Sequence, residues 1–462
     1  MMDHLDSKIL DINSEFFGVT VDELMDNAGA ALADVVRDMY KGKRILIVCG
    51  NGNNGGDGLA AAYHLSGENI TVALLSSPEW ISSEAAKVRL GMLLMPKQFF
   101  DLDVDDYDVV VDCVLGTGIR GEVRDDVADY ILKVNTFVGA VVSADIPTGF
   151  GTLNAIVPDV TVTFHDMKEG MNENNCGTII VADIGIPSEA SFFVGPGDML
   201  RFPIPEDWSH KGQNGRLLIV GGGPYIGAPA LAAMAAQRIG VDLVRIATPK
   251  RSFVQISSMS PTFITFELSG DVVNEDDVPM LIDMSANVDA VLIGPGIGTD
   301  DRTVAAIKKF ARGCKVPMIV DADAIAPLTS YKFKIPVIFT PNAKELDRML
   351  EISGEEFGED LMKKFKNAVM VAKGESDVIT DGRRVRMNDS GCAAMTVGGT
   401  GDALAGIVAG LVSKGVDIFN AGCLGAYICG LAGEFAFMDY SYGMTAKDLI
   451  DYIPDVLIEH LD

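Results

Sequence analysis

The stretch Val397-Gly398-Gly399-Thr400-Gly401-Asp402-Ala403-Leu404-Ala405-Gly406 decides how the chain is interpreted. Its glycines leave backbone N–H groups unshielded, and an apolar, Ala-rich run follows at once. This pattern predicts a loop that feeds the N-terminus of a buried helix. Such a terminus carries a partial positive charge and unpaired N–H donors, so it suits a phosphate group.

Asp402 is the informative residue within this stretch. A carboxylate beside an anion cradle repels the anion unless the carboxylate takes part in the reaction, for example by accepting a proton from a hydroxyl that attacks phosphorus. The alternative is an aspartate that caps its own helix. Glycine fills three of the four positions 398–401, and this favours a phosphoryl-transfer site with Asp402 as its base.

Length, composition and charge limit the possible classes of protein. A chain of 462 residues, 48% of them hydrophobic, predicts two well-buried globular domains. The formal net charge of −28 argues against nucleic acid and anionic membranes as partners. It does not exclude a nucleotide ligand, because local backbone N–H groups bind small phosphates.

Cysteine usage and the apolar segments indicate the compartment. Seven cysteines, with no pair spaced as C-x-x-C, fit a reduced cytoplasmic location better than a disulfide framework or a zinc site. The first residues lack the basic and apolar regions of a signal peptide. The most apolar stretches, 403–412 and 421–438, are interrupted by glycines, so we expect buried helices and no membrane span.

The first half begins with a helical pattern over 20–40 and a buried strand at 44–49. A glycine-rich loop over 50–58 and a helix from Leu59 follow, and the glycines at 50, 52 and 55 match the dinucleotide pattern G-x-G-x-x-G. No acid follows the next strand, which disfavours an ordinary NAD-dependent dehydrogenase. The Asn and Asp side chains of this loop could bind a hard cation or a hydroxyl, or the loop could be a tight turn with left-handed asparagines.

Two further strands of the first half deliver acids to the same sheet edge. A strand over 109–111 leads to Asp112 and a glycine loop over 116–122, and a strand over 140–144 leads to Asp145. Three strands that each end in an acid and a glycine loop converge on one crevice, where open α/β sheets bind ligands. For Lys168, a position in this crevice and a solvated loop position both stay open.

The second half repeats the α/β plan without a residue-level repeat. The aperiodic segment 201–215 predicts a linker. Buried strands then meet polar loops at 221–223, 294–298, 321–323, 340–345 and 373–377, which predicts a second crevice. For Asp321 and Asp323, a structural role in turns or helix caps is the alternative to a role in this crevice, and it stays open.

Taken in order, these motifs resemble a known pair of enzymes. The first half resembles an NAD(P)H-hydrate epimerase domain, through Met25 to Gly29, Asn53 to Gly58, Asp112, Gly116 to Glu122 and Asp145 to Gly149. The second half resembles the ribokinase-like, ADP-dependent NAD(P)H-hydrate dehydratase, through 210–212, 221–227, 294–298, 321–323, 340–341, 373–374 and 398–402. The resemblance implies the class α/β with two three-layer domains: a Rossmann-like epimerase domain over 1–200 and a ribokinase-like domain over 201–462.

The resemblance also implies a function. The protein would interconvert the R and S hydrates of NADH and NADPH (NADHX and NADPHX), and would dehydrate the S hydrate with ADP to give NAD(P)H, AMP and phosphate. Mg²⁺ and K⁺ would be its metal ions, and we expect a cytoplasmic homo-oligomer. Two alternatives are a ribokinase-like kinase for a small alcohol or vitamin, and an N-terminal half that only binds nucleotide as a scaffold.

The resemblance assigns roles to individual residues. Asp145 and Asp402 would be the catalytic acid/base groups, Asn54, Asp112 and Thr148 would bind potassium, and Lys373, Gly374, Glu375, Ser376, Asp377 and Gly401 would bind ADP. The hydrate would contact Asn53, Asn54, Gly55, Gly56, Asp57, Gly116, Thr117, Gly118, Ile119, Arg120, Gly121, Glu122 and Asp145 in the first half, and Ala228, Gly296, Asn342 and Asp402 in the second. Two positions depart from the family pattern: Asn342 replaces a histidine and cannot titrate, and Cys392 replaces an asparagine that contacts nucleotide.

Overall fold

The computed structural model describes residues 2–93, 96–117, 123–365 and 367–461. Two compact units divide the chain, Met1–Ala190 and Ser191–Asp462. The division lies ten residues before residue 200. Residues 202–215 contain no helix or strand, but they lie within the second unit and not between the two units.

The first unit is built on a seven-stranded parallel sheet with the order β3-β2-β1-β4-β5-β6-β7. Its strands are β1 (Ile45–Cys49), β2 (Ile70–Leu74), β3 (Lys97–Gln98), β4 (Val109–Cys113), β5 (Ala140–Ala144), β6 (Val160–Phe164) and β7 (Thr178–Ala182), and the helices are α1 (His4–Phe16), α2 (Val21–Met39), α3 (Asn53–His64), α4 (Glu84–Gly91), α5 (Asp125–Asn135) and α6 (Glu173–Cys176), with α7 (Ser188–Phe192) at the division. The strand order reverses between β1 and β4, and this is where doubly wound sheets open a ligand crevice.

The apolar strands of this sheet are buried on both faces. Ile45, Ile47 and Cys49 of β1 belong to one core cluster, and Leu46 and Val48 belong to another. A strand without polar alternation needs cover on both sides, and the helices supply it. The predicted α/β class with three layers is therefore confirmed for the first unit.

The second unit contains a nine-stranded sheet with the order β10-β9-β8-β11-β12-β13-β14-β15-β16, parallel from β10 to β14 and antiparallel beyond. Its strands are β8 (Arg216–Val220), β9 (Leu243–Thr248), β10 (Ile264–Glu267), β11 (Ala290–Ile293), β12 (Met318–Val320), β13 (Val337–Phe339), β14 (Ala368–Ala372), β15 (Asp377–Thr380) and β16 (Val385–Asn388). Its helices are α8 (Gly227–Arg238), α9 (Lys250–Ser257), α10 (Val278–Ser285), α11 (Asp301–Gly313), α12 (Ile325–Leu328), α13 (Ala343–Ser353), α14 (Glu359–Lys364), α15 (Thr400–Ser413), α16 (Ile418–Tyr440) and α17 (Ala446–Leu461). The order again reverses in the sheet interior, between β8 and β11.

Small residues let the helices of this unit pack closely. A Cβ atom on Gly406 of α15 would lie 2.2 Å from the carbonyl oxygen of Ala232 in α8, so glycine is required there. The segment Ile418–Gly443 is the one helical stretch of the described residues that is long and apolar enough to cross a membrane, and 72% of its most apolar window is buried inside the protein. Burial of this kind is typical of a core helix.

The prediction was wrong about the glycine-rich segment after β1. Helix α3 begins at Asn53, so residues 53–58 are helical and do not form a loop before Leu59. The alternative of a turn with left-handed asparagines is also wrong, because neither Asn53 nor Asn54 has a positive φ. A Cβ atom on Gly55 would lie 2.0 Å from the carbonyl oxygen of Gly50. This glycine lets the helix start against the strand end.

Candidate active sites

A cavity of about 500 Å³ opens in the first unit at the carboxyl ends of β1, β4 and β5. Of the residues predicted to contact the hydrate, the lining includes Asn53, Asn54, Asp57, Gly116, Thr117 and Asp145. Gly56 instead packs against Met25, whose Cε atom would lie 2.4 Å from a Cβ on Gly56. The predicted residues Gly118, Ile119, Arg120, Gly121 and Glu122 lie outside the described residues. The predicted convergence of three strand ends on one crevice is confirmed.

Asp145 follows β5 directly and is held by Lys168. Its backbone φ is +60°, an uncommon conformation for a residue with a side chain. Its Oδ1 atom lies 2.5 Å from Lys168 Nζ and accepts a bond of 3.3 Å from the N–H of Phe164. Its Oδ2 atom has no hydrogen-bond partner within the described part of the chain. One carboxyl oxygen is thus anchored and the other is available to a ligand.

Lys168 lines the same cavity, which decides between the two open interpretations of this residue. The side chain is buried, and Nζ donates to Thr163 Oγ1 at 3.1 Å and to the carbonyl oxygen of Phe164 at 2.7 Å. Together with Asp145 these acceptors satisfy all three N–H donors of the ammonium. Lys168 therefore holds the Asp145 side chain in place.

Sequence reasoning missed the cavity wall that α1 forms. His4, Ser7, Lys8 and Asp11 line the cavity at the spacing of one helix face. Burial raises the pKa of Asp11 to about 6, and Asp145 raises it while Lys168 lowers it. The pKa of Asp57 is also raised well above its usual value by burial and by Asp145 and Asp11. The polar face of α1 was the available signal, but polar helix faces usually point to solvent.

The three predicted potassium ligands lie together beside this cavity. Asp112 is fully buried and accepts bonds from Thr148 Oγ1 at 2.6 Å, Thr148 N at 2.9 Å and Ser143 Oγ at 2.9 Å. Burial raises the pKa of Asp112, although these bonds oppose the shift. A Cβ on Gly116 would lie 3.3 Å from the Cβ of Asn54, and Leu115 N donates to Thr148 Oγ1 at 3.0 Å. Gly116 and Leu115 are neighbours in the chain, so Asn54 and Thr148 lie on either side of one short segment.

Asn54 has an unusual hydrogen-bonding state. It is 7% exposed, yet neither its Oδ1 nor its Nδ2 atom has a hydrogen-bond partner among the residues that the structure describes. Buried polar groups are rarely left unpaired unless a ligand, ion or water completes them. A buried amide oxygen beside a carboxylate and a hydroxyl is a donor set that fits a hard cation. The described residues contain no group of three or more His, Cys, Asp or Glu side chains that could hold a metal ion.

In the second unit the quoted glycine stretch starts α15. Gly399 is the N-cap with φ +100°, and no side chain caps the helix. The alternative in which Asp402 caps its own helix is therefore wrong. The first-turn N–H groups of α15 are open to a ligand, as predicted for an anion site. A Cβ on Gly399 would lie 2.5 Å from Leu231 Cδ1, so a glycine is needed where the helix begins.

Asp402 is a half-buried carboxyl group in an acidic neighbourhood. Burial raises its pKa to about 7, Asp321 and Glu345 raise it, and Lys373 lowers it. Asp321 is 2% exposed and accepts bonds from Thr340 Oγ1 at 2.7 Å and from Lys373 Nζ at 3.2 Å. Asp402 itself has no hydrogen-bond partner among the described residues. A carboxyl group in this state exchanges a proton near neutral pH.

The predicted nucleotide segments meet at Lys373. A Cβ on Gly401 would lie 3.2 Å from Lys373 Nζ, so the lysine approaches the first turn of α15. Burial lowers the pKa of Lys373, but Asp321 and Glu345 outweigh burial and raise it. In the loop that follows, Asp377 accepts bonds from Gly374 N at 3.1 Å through Oδ1 and from Asn388 Nδ2 at 3.2 Å through Oδ2. Asp377 therefore shapes this loop.

Asn342, the first departure from the family pattern, is an exposed helix cap. Its Oδ1 atom accepts a bond of 3.0 Å from Glu345 N, and its own N–H donates to Glu345 Oε2 at 2.8 Å. This capping box holds Glu345, whose charge acts on both Lys373 and Asp402.

The other two residues predicted to contact the hydrate in the second unit, Ala228 and Gly296, follow β8 and β11. Gly296 has φ +65°, and a Cβ there would lie 2.2 Å from the carbonyl oxygen of Tyr225. Ala228 lies in the first turn of α8 and is partly exposed. Asp323 accepts a hydrogen bond of 3.0 Å from Gly298 N. Its side chain therefore stabilises the loop after β11, in line with the structural alternative for this residue. Cys392, the second departure, is half-buried at the start of a short 3₁₀ helix.

Comparison with known proteins gives a match for each half. Residues 217–455 match the model of a family described as NAD(P)H-hydrate dehydratase. Residues 21–170 match the model of a family described as YjeF-related protein N-terminus.

Full-length relatives carry both halves. A bifunctional NAD(P)H-hydrate repair enzyme of Methanothermobacter thermautotrophicus is 37% identical, over 99% of this chain and 95% of the relative. A protein of the same name from Hyperthermus butylicus is 38% identical, over 98% of this chain and 91% of the relative.

A solved structure resembles the second half. The ADP/ATP-dependent NAD(P)H-hydrate dehydratase of Bacillus subtilis, co-crystallised with ATP and Mg²⁺, is 27% identical, with a TM-score of 0.51. The match covers 58% of this chain and 99% of that one.

Proposed function

The chain belongs to the family of bifunctional NAD(P)H-hydrate repair enzymes, and from that premise we propose which residues carry its two reactions. The enzyme interconverts the R and S hydrates of NADH and NADPH and dehydrates the S hydrate to NAD(P)H. The first unit carries the epimerase activity and the second carries the nucleotide-dependent dehydratase activity. The kinase alternative loses its basis, because the relatives that cover the whole chain are repair enzymes.

For the dehydratase, one observation carries the assignment: Asp402, with a pKa raised to about 7, lies in the uncapped first turn of α15. Asp402 takes the proton of the C6 hydroxyl as the β-phosphoryl group of ADP arrives at that oxygen, and AMP leaves. The open amides of Gly399 to Gly401 receive the phosphoryl charge. The C6–O bond then breaks, phosphate leaves, and loss of a proton from C5 restores the dihydronicotinamide ring.

The nucleotide site is proposed at Lys373 to Asp377 and Gly401. The Bacillus subtilis relative supports the use of a nucleotide with Mg²⁺, and we propose ADP as the phosphoryl donor. Lys373 lies at the first turn of α15, where its charge would meet the phosphates. Because the described residues offer no cluster of three metal-binding side chains, phosphate oxygens would supply most Mg²⁺ ligands. The bound ion offsets the charge of the phosphates.

For the epimerase, we propose Asp145 as the acid/base group and the cavity of the first unit as the hydrate site. The free Oδ2 atom of Asp145 and its anchored Oδ1 atom support this role. Asn54, Asp112 and Thr148 are proposed to bind K⁺, and the unpaired buried amide of Asn54 supports it. Bound potassium supplies positive charge at the cavity edge.

The potassium proposal has a direct test. We expect epimerisation to fall when K⁺ is replaced by tetramethylammonium, and we expect Asn54→Ala to lose this dependence. Dehydration of the S hydrate by the same samples is the internal control. Equal epimerisation in both salts would contradict the potassium site.

The dehydratase proposal is tested with purified protein and S hydrate. We expect the absorbance of NAD(P)H to return with ADP, and we expect ATP to be slower when the two are assayed side by side. A phosphorylated product that persists without phosphate release would instead favour kinase chemistry. No return of absorbance with either nucleotide would contradict the proposal.

We also propose a cytoplasmic homo-oligomer without nucleic-acid or membrane partners. The net charge of −28 and the seven free cysteines support this environment. Light scattering after gel filtration measures the assembly, and a monomeric mass would contradict the oligomer. Co-flotation with anionic vesicles would contradict the absence of a membrane partner.

A further inference from the structure

Helix α1 supplies one wall of the epimerase cavity. Four of its residues, His4, Ser7, Lys8 and Asp11, face that cavity, although the matched family range begins only at residue 21. The start of the helix is tied to the segment that carries Lys168, because Met2 N donates to the carbonyl oxygen of Met167 at 3.0 Å and Glu169 N donates to Met2 O at 2.9 Å. The wall is therefore fixed relative to the Lys168–Asp145 pair.

The carboxyl groups of this cavity differ in their partners. Asp145 is in direct contact with an ammonium group whose donors are all used. Asp11 accepts no hydrogen bond within the described ranges. Its charged and titratable surroundings in the cavity lining are Asp145, Asp57, Lys168, His165, Arg124 and, on its own helix, His4 and Lys8.

The reaction requires two proton movements. When the C6 hydroxyl leaves as water, a proton joins its oxygen and the C6–O bond electrons depart with that water, while the N1 lone pair forms a C6=N1 iminium. When water adds to the other face, the N1–C6 π electrons return to N1 and the new oxygen gives up one proton. No oxidant, reductant or metal is consumed.

We propose that Asp11 is the second proton-transfer group of the epimerase and works with Asp145 on the C6 oxygen. This inference rests on the proposed role of Asp145. The two carboxyl groups come from different elements, α1 and the end of β5, so one group can serve the departing oxygen and the other the arriving one. Their roles exchange when the reaction runs from S to R.

Asp57 is the competing carboxyl group, and its environment favours a different role. Asp57 lies in α3, one turn from Asn54, and burial together with Asp145 and Asp11 raises its pKa well above the usual value. Asp11, with a pKa of about 6, exchanges a proton close to neutral pH, which suits transfer in both directions. Asp57 remains assigned to a hydroxyl of the substrate.

The test compares Asp11→Asn with Glu15→Gln, which removes the same charge from an exposed position of the same helix. We expect kcat for epimerisation to fall by roughly 10²–10⁴-fold in Asp11→Asn, with KM within about threefold of the unsubstituted enzyme. Glu15→Gln keeps full activity. A kcat in Asp11→Asn within about threefold of the unsubstituted enzyme, while Asp145→Asn is inactive, would overturn the role of Asp11 alone. An active Asp145→Asn would instead overturn the proposed function of Asp145.

A second measurement uses the unsubstituted enzyme and does not depend on the folding of a variant. In the direction in which Asp11 protonates the departing oxygen, Asp11 must carry a proton, so kcat measured in that direction falls as pH rises through the range near 6. Asp11→Glu, which keeps a carboxyl group, shows the same fall of kcat with rising pH, with a lower kcat throughout. A kcat that stays level from acidic to mildly alkaline pH would overturn the proposal.

Discussion

Each unit contains a buried lysine–aspartate pair, but the pairs are connected differently to the reactive carboxyl group. In the first unit Lys168 contacts Asp145, the proposed acid/base group itself, at 2.5 Å. In the second unit Lys373 contacts Asp321 at 3.2 Å, and no cationic side chain in the described ranges forms an ion pair with the proposed base Asp402. The same two residue types thus give one reactive carboxylate with a counter-ion and one without.

This difference corresponds to the two kinds of chemistry. A carboxylate that contacts an ammonium with all its donors used is fixed in orientation, which suits repeated proton exchange with the C6 oxygen. A carboxyl group without a counter-ion, next to other acids, has a raised pKa and becomes a stronger base. Asp402 also lies in the uncapped first turn of α15, where we propose that phosphates bind, and a lysine placed directly on Asp402 would be shared with those phosphates.

The largest expected effect comes from Asp402→Asn. We expect dehydration of the S hydrate to fall by roughly 10²–10⁴-fold, because an amide cannot accept the hydroxyl proton. Epimerisation stays unchanged. The assay is the return of NAD(P)H absorbance with ADP, beside chromatographic separation of the two epimers. An Asp402→Asn variant that dehydrates the S hydrate at the full rate would contradict the role of Asp402 as the base.

Lys168→Met probes the counter-ion of the first unit. Breaking a buried pair by removing one partner lowers the free energy of unfolding by about 3–5 kcal/mol. We expect the temperature of the thermal transition of the first unit to fall, and kcat for epimerisation to fall as well, because the Asp145 carboxylate loses the contact that orients it. Lys41→Met, at an exposed position, is the matched control. An unchanged kcat for epimerisation would mean that Lys168 does not position Asp145.

The pH dependence of dehydration tests whether Asp402, which has no counter-ion among the described residues, has a raised pKa. The pKa of Asp402 is raised to about 7, so the base is protonated below that pH and the rate rises as pH increases through it. Glu345→Gln removes one acid that raises this pKa and keeps the capping partner. The midpoint should therefore move to lower pH. An unchanged midpoint would show that Glu345 does not raise the pKa of Asp402.

The smallest expected effect comes from Asn342→Ala. Loss of an N-cap costs about 0.5–2 kcal/mol of stability, and the freed Glu345 should change the dehydration rate only a few-fold. Asn342→Ser keeps a capping oxygen and serves as the control. An Asn342→Ala rate as low as that of Asp402→Asn would show that Asn342 contacts the reacting groups directly.

Much of the fold followed from the sequence because buried parallel strands are short apolar runs. The strand end before Asp145 and the helix after Gly399 were predicted from local composition. The start of α3 was misplaced, because Gly55 and Gly56 resemble loop residues until the close approach to Gly50 is visible. A helix that depends on tertiary packing leaves a weak local signal.

The sites were predictable where chemistry lies at strand ends and not where it depends on long-range contacts. Asp145 directly follows an apolar strand, and Asp402 directly follows a glycine-rich stretch. Asp11 lies on a helix 134 positions from Asp145 along the chain, and no local pattern brings the two together. Lys168 was undecided for the same reason, since its contact with Asp145, 23 positions earlier in the chain, forms only in the folded sheet.

One measurement tests the division of labour most directly: a time course that starts from pure R hydrate with ADP. Asp145→Asn should regenerate NADH from S hydrate at the normal rate but not from R hydrate, and Asp402→Asn should convert R to S without regenerating NADH. A mixture of the two variants should restore full regeneration from R hydrate. If Asp145→Asn alone regenerates NADH from R hydrate as fast as the unsubstituted enzyme, the assignment of Asp145 is contradicted.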